Sequence, residues 1–584
     1  MSKSAKFPHF MESWRWFQLP SETRLHLPDV LMFGGALALF YGVLAIGQTW
    51  FGPLTPQVEV SRNVWSLPTY AGYSLLRMAA AYALSLAFTL VYGYVAAHNP
   101  KAERFMIPLL DVLQSIPVLS FLPGVMLAMV ALFPGHQIGV ELGSILLIFT
   151  GQVWNMAFSF YASLKSIPRE MREASRIYRF SGWQRFTQVE LPFAAIGLVW
   201  NPMMSVAGGW FFLMACEMFV LGKRDFRLPG LGSYLQTAAS AGDLPAILWG
   251  ITAMIAVIVL LDQLIWRPVL AWAEKFKVEQ IESADLPSSW FLRVFRRSPL
   301  LTRLSQTVVS PISERLLQHF ASRHETDGDS SDSRSWRIWL SRVLGAVALA
   351  LLCYGAGRAL MTLTGLNHHE VAQLLAGSAA TFLRVSLALL LGALWTVPAG
   401  VAIGFHPQLA RVAQPLVQIA ASVPATALFP VILLVLIRMG GGLGIGSIVL
   451  LLLGTQWYIL FNVVAGAIAI PTDLKEATSV YGIRGMERWR TLILPGIFPY
   501  LVTGLVTASG GAWNASIVAE YFHFQGQTIS TPGLGSTISQ ATDSGNLNLL
   551  VAATVAMATI VVVINRLVWR RMYKIAQSKF TLEN

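Results

Sequence analysis

The chain has 584 residues, of which 55% are hydrophobic and only 12% charged, and its formal net charge is +12. Soluble proteins carry about 25% charged residues, so this composition excludes an ordinary soluble domain and predicts an all-α polytopic membrane protein. Cys216 and Cys353 both lie in apolar runs, which argues against a disulfide framework. His368 and His369 lack the spacing of a metal ligand set, so no metal site is predicted.

Apolar runs predict twelve membrane helices in two sets of six. Residues 1–27 mix aromatic and basic side chains, as a segment at the cytoplasmic membrane surface does. Transmembrane domains are predicted at 28–275 and 337–575, with a cytoplasmic linker at 276–336 and a tail at 576–584. The predicted spans are 28–50, 70–97, 105–133, 143–165, 193–221 and 245–270, then 337–361, 377–404, 412–438, 446–468, 496–521 and 547–571.

Basic residues predict the orientation of the first domain. With the N-terminus inside, the inner segments (1–27, 98–104 and 165–192) hold twelve lysines and arginines, and the outer segments hold four. The positive-inside rule therefore places both termini in the cytoplasm. The net positive charge follows from such loops, so no nucleic-acid partner is needed to explain it.

One polar stretch occurs twice, at 173–192 and 476–495, and seven of its twenty positions are identical at an offset of 303. The repeat extends much further in both directions. The offset is 307 near its start, as in Arg77/Arg384 and Pro117/Pro424, and 303 from Gly151/Gly454 through the identical PGLGS at 229–233 and 532–536. Six helices per copy predict two parallel halves related by a pseudo-two-fold axis along the membrane normal.

Each copy of the polar stretch predicts a helix–turn–helix across the cytoplasmic surface. Pro168 and Pro471 are typical of helix starts, and Gly182 and Gly485 allow a left-handed break. Pro192 and its counterpart Pro495 are predicted to begin the fifth membrane helix of each half. We call residues 168–192 and 471–495 the first and second hairpins.

The hairpins resemble a known family motif. Glu-Ala followed by a small residue, nine residues from Glu to Gly and ten from Gly to Pro, is similar to the EAA loop of the membrane components of binding-protein-dependent ABC importers. The third position is Ser175 or Thr478 where the family often has alanine, and both are small. Arg77, PGLGS and the Trp-Arg of the sixth helix resemble the nitrate/sulfonate/taurine permease subfamily.

This resemblance implies two fused type I ABC importer transmembrane halves in a bacterial inner membrane. Their partners would be two cytoplasmic ABC ATPases, an extracytoplasmic substrate-binding protein and membrane lipid. ATP and Mg would bind the ATPases, because the glycine run at 440–446 lacks the Walker lysine and no cofactor site is evident in this chain. The implied coupling residues are Glu173, Ala174, Gly182, Arg185, Glu476, Ala477, Gly485 and Arg488.

Polar residues within the spans mark a candidate path. Trp210 and Glu217 lie seven residues apart on one helix face, and Trp513, Ser516 and Glu520 repeat that face. They form either a gate at the outer mouth or structural ion pairs, Arg77 with Glu217 and Arg384 with Glu520; the cost of an unpaired charge favours the pairs. Asn155 and Asn514 either line the path or join helices.

The prediction is a non-catalytic translocation subunit for a small anion such as nitrate, a sulfonate or bicarbonate. An ion-coupled secondary transporter with two parallel repeats is the alternative, although few charges are predicted at mid-membrane for such coupling. A membrane scaffold or sensor that uses the linker is a third reading.

Overall fold

The computed structural model describes residues 59–221, 224–276, 365–524 and 527–579, together with isolated positions at 50, 307, 343, 350, 357 and 361. Within these residues, eight helices are long and apolar enough to cross a membrane. The N-terminal segment, the predicted spans at 28–50 and 337–361, and the linker after Phe276 lie outside the described ranges. The described chain is an all-α membrane protein with two similar halves.

The described part of the first half contains ten α-helices and a two-stranded ribbon. Its elements are α1 (Leu67–His98), α2 (Pro100–Ser115), α3 (Leu122–Leu132), α4 (Ile138–Lys165), α5 (Arg169–Ile177), α6 (Gly182–Arg185), α7 (Leu191–Glu217), β1 (Val220–Leu221), β2 (Arg224–Asp225), α8 (Leu231–Ser240), α9 (Leu244–Leu261) and α10 (Arg267–Ala273). Short 3₁₀ turns lie at Val64–Ser66, Val118–Phe121 and Glu274–Phe276.

The second half repeats this order. Its elements are α11 (His368–Phe405), α12 (Pro407–Ser422), α13 (Ala425–Arg438), α14 (Leu443–Ala469), α15 (Thr472–Val480), α16 (Gly485–Arg488), α17 (Leu494–Ala519), β3 (Tyr521–Phe524), β4 (Gln527–Ser530), α18 (Leu534–Ser544), α19 (Leu547–Ile564) and α20 (Arg570–Lys579). Both ribbons, β1 with β2 and β3 with β4, are antiparallel.

In each half one helix packs between two others, α4 between α1 and α7 and α14 between α11 and α17. Close approach depends on small residues, as is usual for membrane helices. A Cβ added at Gly93 of α1 would lie 2.6 Å from the Phe160 ring of α4. We call the end of the bundle with the hairpins the hairpin end, and the end with Glu217, Glu520 and both PGLGS segments the PGLGS end.

The predicted spans at 105–133 and 412–438 are wrong as single helices. Each is broken in the middle, into α2 and α3 in the first half and α12 and α13 in the second. Ile116 and Val423 are extended, with ψ of 125° and 118°. The cause is the proline that follows each of them, which lacks an N–H and disfavours the helical conformation of the residue before it.

The fifth membrane helix of each half begins earlier than predicted. Pro192 and Pro495 do not begin it, because the helix runs on from α6 or α16 through a π-helical turn, Phe186–Glu190 or Trp489–Ile493. The continuous helices therefore span Gly182–Glu217 and Gly485–Ala519. The short second helix of each hairpin is the first turn of a membrane helix, so a force on the hairpin acts directly on that helix.

The two halves contact each other near the broken helices. The Leu119 N–H donates to Asn514 Oδ1 at 3.4 Å, and the Thr554 hydroxyl donates to the Ser120 carbonyl at 3.1 Å. Leu119 and Ser120 belong to the turn after Pro117, where the break leaves backbone groups without helical partners. Side chains of the second half thus satisfy backbone groups of the first.

Candidate functional site

The first hairpin joins α5 to α6 through a well-capped turn. The Ser181 hydroxyl accepts from the Gln184 N–H at 3.2 Å, and the Gln184 side chain accepts from the Ser181 N–H at 2.9 Å. This reciprocal arrangement is a capping box. Ser175, at the third motif position, is buried, and its hydroxyl donates to the Arg172 carbonyl.

The second hairpin has the same path but fewer fixing contacts. Arg484 precedes α16 and makes no side-chain capping bond. Thr478, in the position of Ser175, is also buried, and its hydroxyl donates to the Lys475 carbonyl. The first hairpin is therefore held in shape by its own side chains more than the second is.

The left-handed residue of the first hairpin was predicted wrongly. Gly182 does not have a positive φ; Arg179 does, at 50°. In the second hairpin both Gly482 (φ 69°) and Gly485 (φ 56°) are left-handed, so the prediction for Gly485 is confirmed. Helix α5 ends with a Schellman-type bond from the Phe180 N–H to the Ser175 carbonyl, which requires the left-handed residue directly before Phe180.

Replacing Arg179 by glycine should stabilise the first hairpin. A left-handed conformation costs a non-glycine residue about 1–2 kcal/mol, and glycine removes that strain. We expect slower amide hydrogen exchange over residues 169–185 in Arg179→Gly. The reciprocal change Gly482→Arg should accelerate exchange over 472–488. Unchanged or faster exchange in Arg179→Gly would contradict the assignment of strain to this residue.

Different side chains anchor the two hairpins to the bundle. In the first half Glu190 lies 2.8 Å from His98 Nε2, at the end of α1, and 3.0 Å from Arg185 Nε. In the second half Phe405 replaces His98, and Lys475 Nζ lies 4.8 Å from the centroid of its ring. Burial and the nearby Arg488 lower the pKa of Lys475. One anchor is an ionic cluster, and the other is a cation–aromatic contact.

Both hairpins expose apolar residues and a carboxylate to the same side. Ile177 is 78% exposed and its counterpart Val480 is 84% exposed, and Tyr178 and Tyr481 follow them at the surface. Glu173 and Glu476 are exposed and form no ion pair with any described residue. Apolar side chains that are this exposed, beside charged residues on a short surface helix, are typical of a protein-binding surface.

A buried ionic cluster joins the helices of the first half at the PGLGS end. Arg77 is fully buried; its Nε and Nη2 donate to Glu141 at 2.6 and 2.8 Å, and its Nη1 donates to Glu217 at 2.9 Å. Glu217 also accepts from the Ser74 hydroxyl and the Gly232 N–H, both at 2.7 Å. We call this set the first knot.

Each PGLGS segment begins with Pro-Gly, and the carboxylate of Glu217 or Glu520 packs directly against the backbone of that glycine. A Cβ at Gly230 would lie 2.3 Å from Glu217, and one at Gly533 would lie 2.1 Å from Glu520. Both distances are far below van der Waals contact, so no side chain fits at either position. The first glycine of each PGLGS segment is therefore explained by the carboxylate packed against it.

The second knot has the same plan with one carboxylate fewer. Arg384 Nη1 donates to Glu520 at 2.9 Å and to the Pro532 carbonyl at 2.7 Å. Its Nη2 donates to the Thr531 hydroxyl at 2.9 Å, where Arg77 has Glu141. The predicted ion pairs of Arg77 with Glu217 and of Arg384 with Glu520 are both present.

Two cavities lie between the halves. The larger, about 580 Å³, has aromatic walls that include Trp210, Trp457 and Tyr458, with amides from Asn201, Asn462 and Asn514. Asp262 is its one charged residue among those described, and Arg267 pairs with it at 2.9 Å. The smaller cavity, about 390 Å³, lies at the PGLGS end and includes Arg227 and Asp543.

The family described as "binding-protein-dependent transport system inner membrane component" matches the chain twice, at residues 89–265 and 388–580. The chain belongs to this family. Each match contains one complete hairpin, so the protein is a permease component with two family domains in tandem. The family and the eight apolar helices make it a multi-pass inner-membrane protein.

Curated relatives of this permease are similar over part of the chain. The nitrate import permease protein of Leptolyngbya laminosa is 25% identical over 32% of this chain and 64% of its own length. The taurine transport system permease protein of Escherichia coli is 27% identical over 34% of this chain and 70% of its own. The trimethylamine N-oxide transport system permease protein of Pelagibacter ubique is 27% identical over 45% of this chain and 34% of its own length.

The candidate path residues of the permease fall into two groups. Trp210 and Asn514 line the larger cavity. Glu217, Glu520 and Ser516 are buried in or beside the knots, and neither they nor Trp513 and Asn155 line either described cavity. Sequence reasoning missed Glu141, for which the signal was an acidic residue beside an apolar span. It also missed Tyr458 and Asn462, which resemble ordinary core residues in sequence.

Proposed function

We propose that the chain is the translocation subunit of an ATP-driven importer, with the hairpin end in the cytoplasm. Each hairpin docks on one ABC ATPase subunit, and the two cavities are parts of the path between the halves. ATP and Mg bind the ATPases and not this chain, which is non-catalytic. A binding protein delivers substrate at the PGLGS end.

The observation that carries this proposal is the pair of uncovered hairpin surfaces. Ile177 with Glu173 and Val480 with Glu476 present the same chemistry twice, at one end of the bundle. Because the two surfaces are related by the repeat, their natural partner is a pair of similar subunits. Arg185 and Arg488, in the first turn of each long helix, connect these surfaces to the anchors described above.

The continuous helices that start at the hairpins explain how docking could open the path. Helix α7 carries Trp210 and helix α17 carries Asn514, and both residues line the larger cavity. Movement of a hairpin moves these walls, which gives alternating access by rocking of the halves. The carboxylate of the larger cavity, Asp262, is already paired with Arg267, which does not favour ion coupling at that cavity.

The proposed substrate is a small anion such as nitrate, a sulfonate or bicarbonate. Its support is the similarity to nitrate and taurine permeases. No lysine or arginine is among the described residues lining the larger cavity, so its walls offer no strong anion site. We therefore assign most of the selection to the binding protein.

The docking proposal predicts that a charge on the apolar surface of both hairpins abolishes ATPase binding. The test is co-purification of the cognate ABC ATPase subunits with the tagged double variant Ile177→Asp/Val480→Asp. Burying an unpaired carboxylate in an interface should reduce recovery of the ATPase by roughly tenfold or more. Trp65→Asp is the matched control, because Trp65 is 87% exposed at the opposite end. Full recovery with the double variant would refute the docking surface.

A further inference from the structure

The two knots differ in how many carboxylates face one guanidinium. Arg77 has two, Glu141 and Glu217, and its side chain is 0% exposed. Arg384 has one, Glu520, and its side chain is 14% exposed. Arg384 makes no second ion pair with a described residue. One negative charge present in the first knot is therefore missing from the second.

The repeat identifies the residue of the second half that is equivalent to Glu141. The offset of 303 also holds in the first turns of α4 and α14, because the Ser144 hydroxyl donates to the Glu141 carbonyl at 2.8 Å and the Ser447 hydroxyl donates to the Gly444 carbonyl at 2.9 Å. Gly444 therefore occupies the position of Glu141. The same offset relates Leu228 to Thr531, and the structure supports it: the Leu228 N–H donates to the Glu217 carbonyl at 3.1 Å and the Thr531 N–H to the Glu520 carbonyl at 3.0 Å. Glycine thus replaces the acid that completes the first knot.

Among the described residues, the space beside Gly444 is open and borders Arg384. Of these residues, a Cβ added at Gly444 would meet only Thr531, whose Oγ1 lies 3.9 Å away. That same oxygen accepts from Arg384 Nη2 at 2.9 Å. The Nε of Arg384 donates to no described acceptor, whereas the Nε of Arg77 donates to Glu141. The donor edge that binds Glu141 in the first half is thus only partly used in the second.

We propose that Arg384 and the space beside Gly444 form a binding site for a small monovalent oxyanion. A planar anion such as nitrate, bicarbonate or a carboxylate matches the guanidinium edge at Nε and Nη2. It would occupy the position that the Glu141 carboxylate fills in the first half and would give both knots the same balance of charge. The Thr531 hydroxyl, already bonded to Arg384, lies at the rim of this site.

The test is the nitrate dependence of thermal unfolding of the full chain in nanodiscs of zwitterionic lipid, with chloride, which is not an oxyanion, replacing nitrate at constant ionic strength. Nitrate should raise the Tm of the wild type in a saturable way. Gly444→Glu supplies the carboxylate covalently, so it should raise the Tm without nitrate and weaken the nitrate response by roughly tenfold or more. Gly444→Gln has nearly the same size but no charge, and it should not reproduce the higher Tm.

Each remaining outcome decides the proposal. The proposal would be overturned if nitrate did not change the Tm of the wild type, or if Gly444→Glu responded to nitrate as the wild type does. Nanodiscs containing an anionic lipid distinguish the source of the oxyanion. If that lipid raises the Tm of the wild type, but not of Gly444→Glu, and nitrate then adds nothing, the natural occupant is a lipid phosphate. If nitrate acts equally in both lipids, the occupant is a free anion.

Discussion

Replacing Arg77 by methionine should unfold or severely destabilise the chain. Methionine fills similar space but leaves Glu141 and Glu217 buried without a cation. Removing one partner of a buried ion pair typically costs about 3–5 kcal/mol, because the remaining charge is uncompensated. The expected result is a large fall in Tm and in the yield of monodisperse protein. Thermal unfolding in detergent, monitored by tryptophan fluorescence, measures it.

Two matched variants separate charge from packing. Arg384→Met should lower the Tm less than Arg77→Met does, because it leaves only Glu520 without a cation and because Arg384 is already partly exposed. The triple change Arg77→Met/Glu141→Gln/Glu217→Gln removes the charges together and should recover much of the lost stability. A triple variant no more stable than Arg77→Met alone would contradict an electrostatic origin of the effect.

Removing the hairpin carboxylates should reduce transport unequally, with Glu476→Ala the more damaging change. Both side chains are exposed and unpaired among the described residues, so each is available to a partner. The first hairpin is held by the Ser181–Gln184 capping box, whereas the second has no capping side chain. A side-chain cap stabilises a helix start by about 1 kcal/mol, so the second hairpin loses more conformational freedom when it docks. The reductions in transport caused by Glu173→Ala and Glu476→Ala should therefore differ by roughly fivefold.

The control for this comparison removes the cap itself. Ser181→Ala should make the first hairpin resemble the second and bring the effect of Glu173→Ala close to that of Glu476→Ala. The measurement is ATP-dependent uptake into proteoliposomes with matched protein content. Equal losses for Glu173→Ala and Glu476→Ala in the wild-type background would show that the asymmetry of the hairpins has no effect on coupling.

The sequence predicted the halves, the hairpins and the Arg77–Glu217 and Arg384–Glu520 pairs, because a long repeat fixes which residues correspond. It failed where local geometry is decided by more than one residue type. Arg179 is left-handed because α5 ends at Ile177 and the Schellman bond to Phe180 requires it, although glycine lies three residues later. The breaks at Pro117 and Pro424 were obscured by apolar residues on both sides.

The proposed path could not be derived from the sequence, because its two cavities lie between the halves. Glu141 has no acidic counterpart, so the repeat gave no reason to select it. Tyr458 and Asn462 line the larger cavity together with α7 residues that are more than 240 positions away in the chain. Such contacts depend on how the two halves pack. Offsets within the sequence identify equivalent positions and do not identify neighbours across the interface.

The most direct test of ATP-driven import is substrate uptake by the chain reconstituted with its ATPases and binding protein. Proteoliposomes are loaded either with ATP and Mg or with neither, and the second set carries an imposed proton or sodium gradient. An ATP-driven importer should take up substrate only with ATP and should lose that uptake in the double variant Glu173→Ala/Glu476→Ala. Uptake driven by the ion gradient without ATP would contradict ATP-driven import and would identify a secondary transporter.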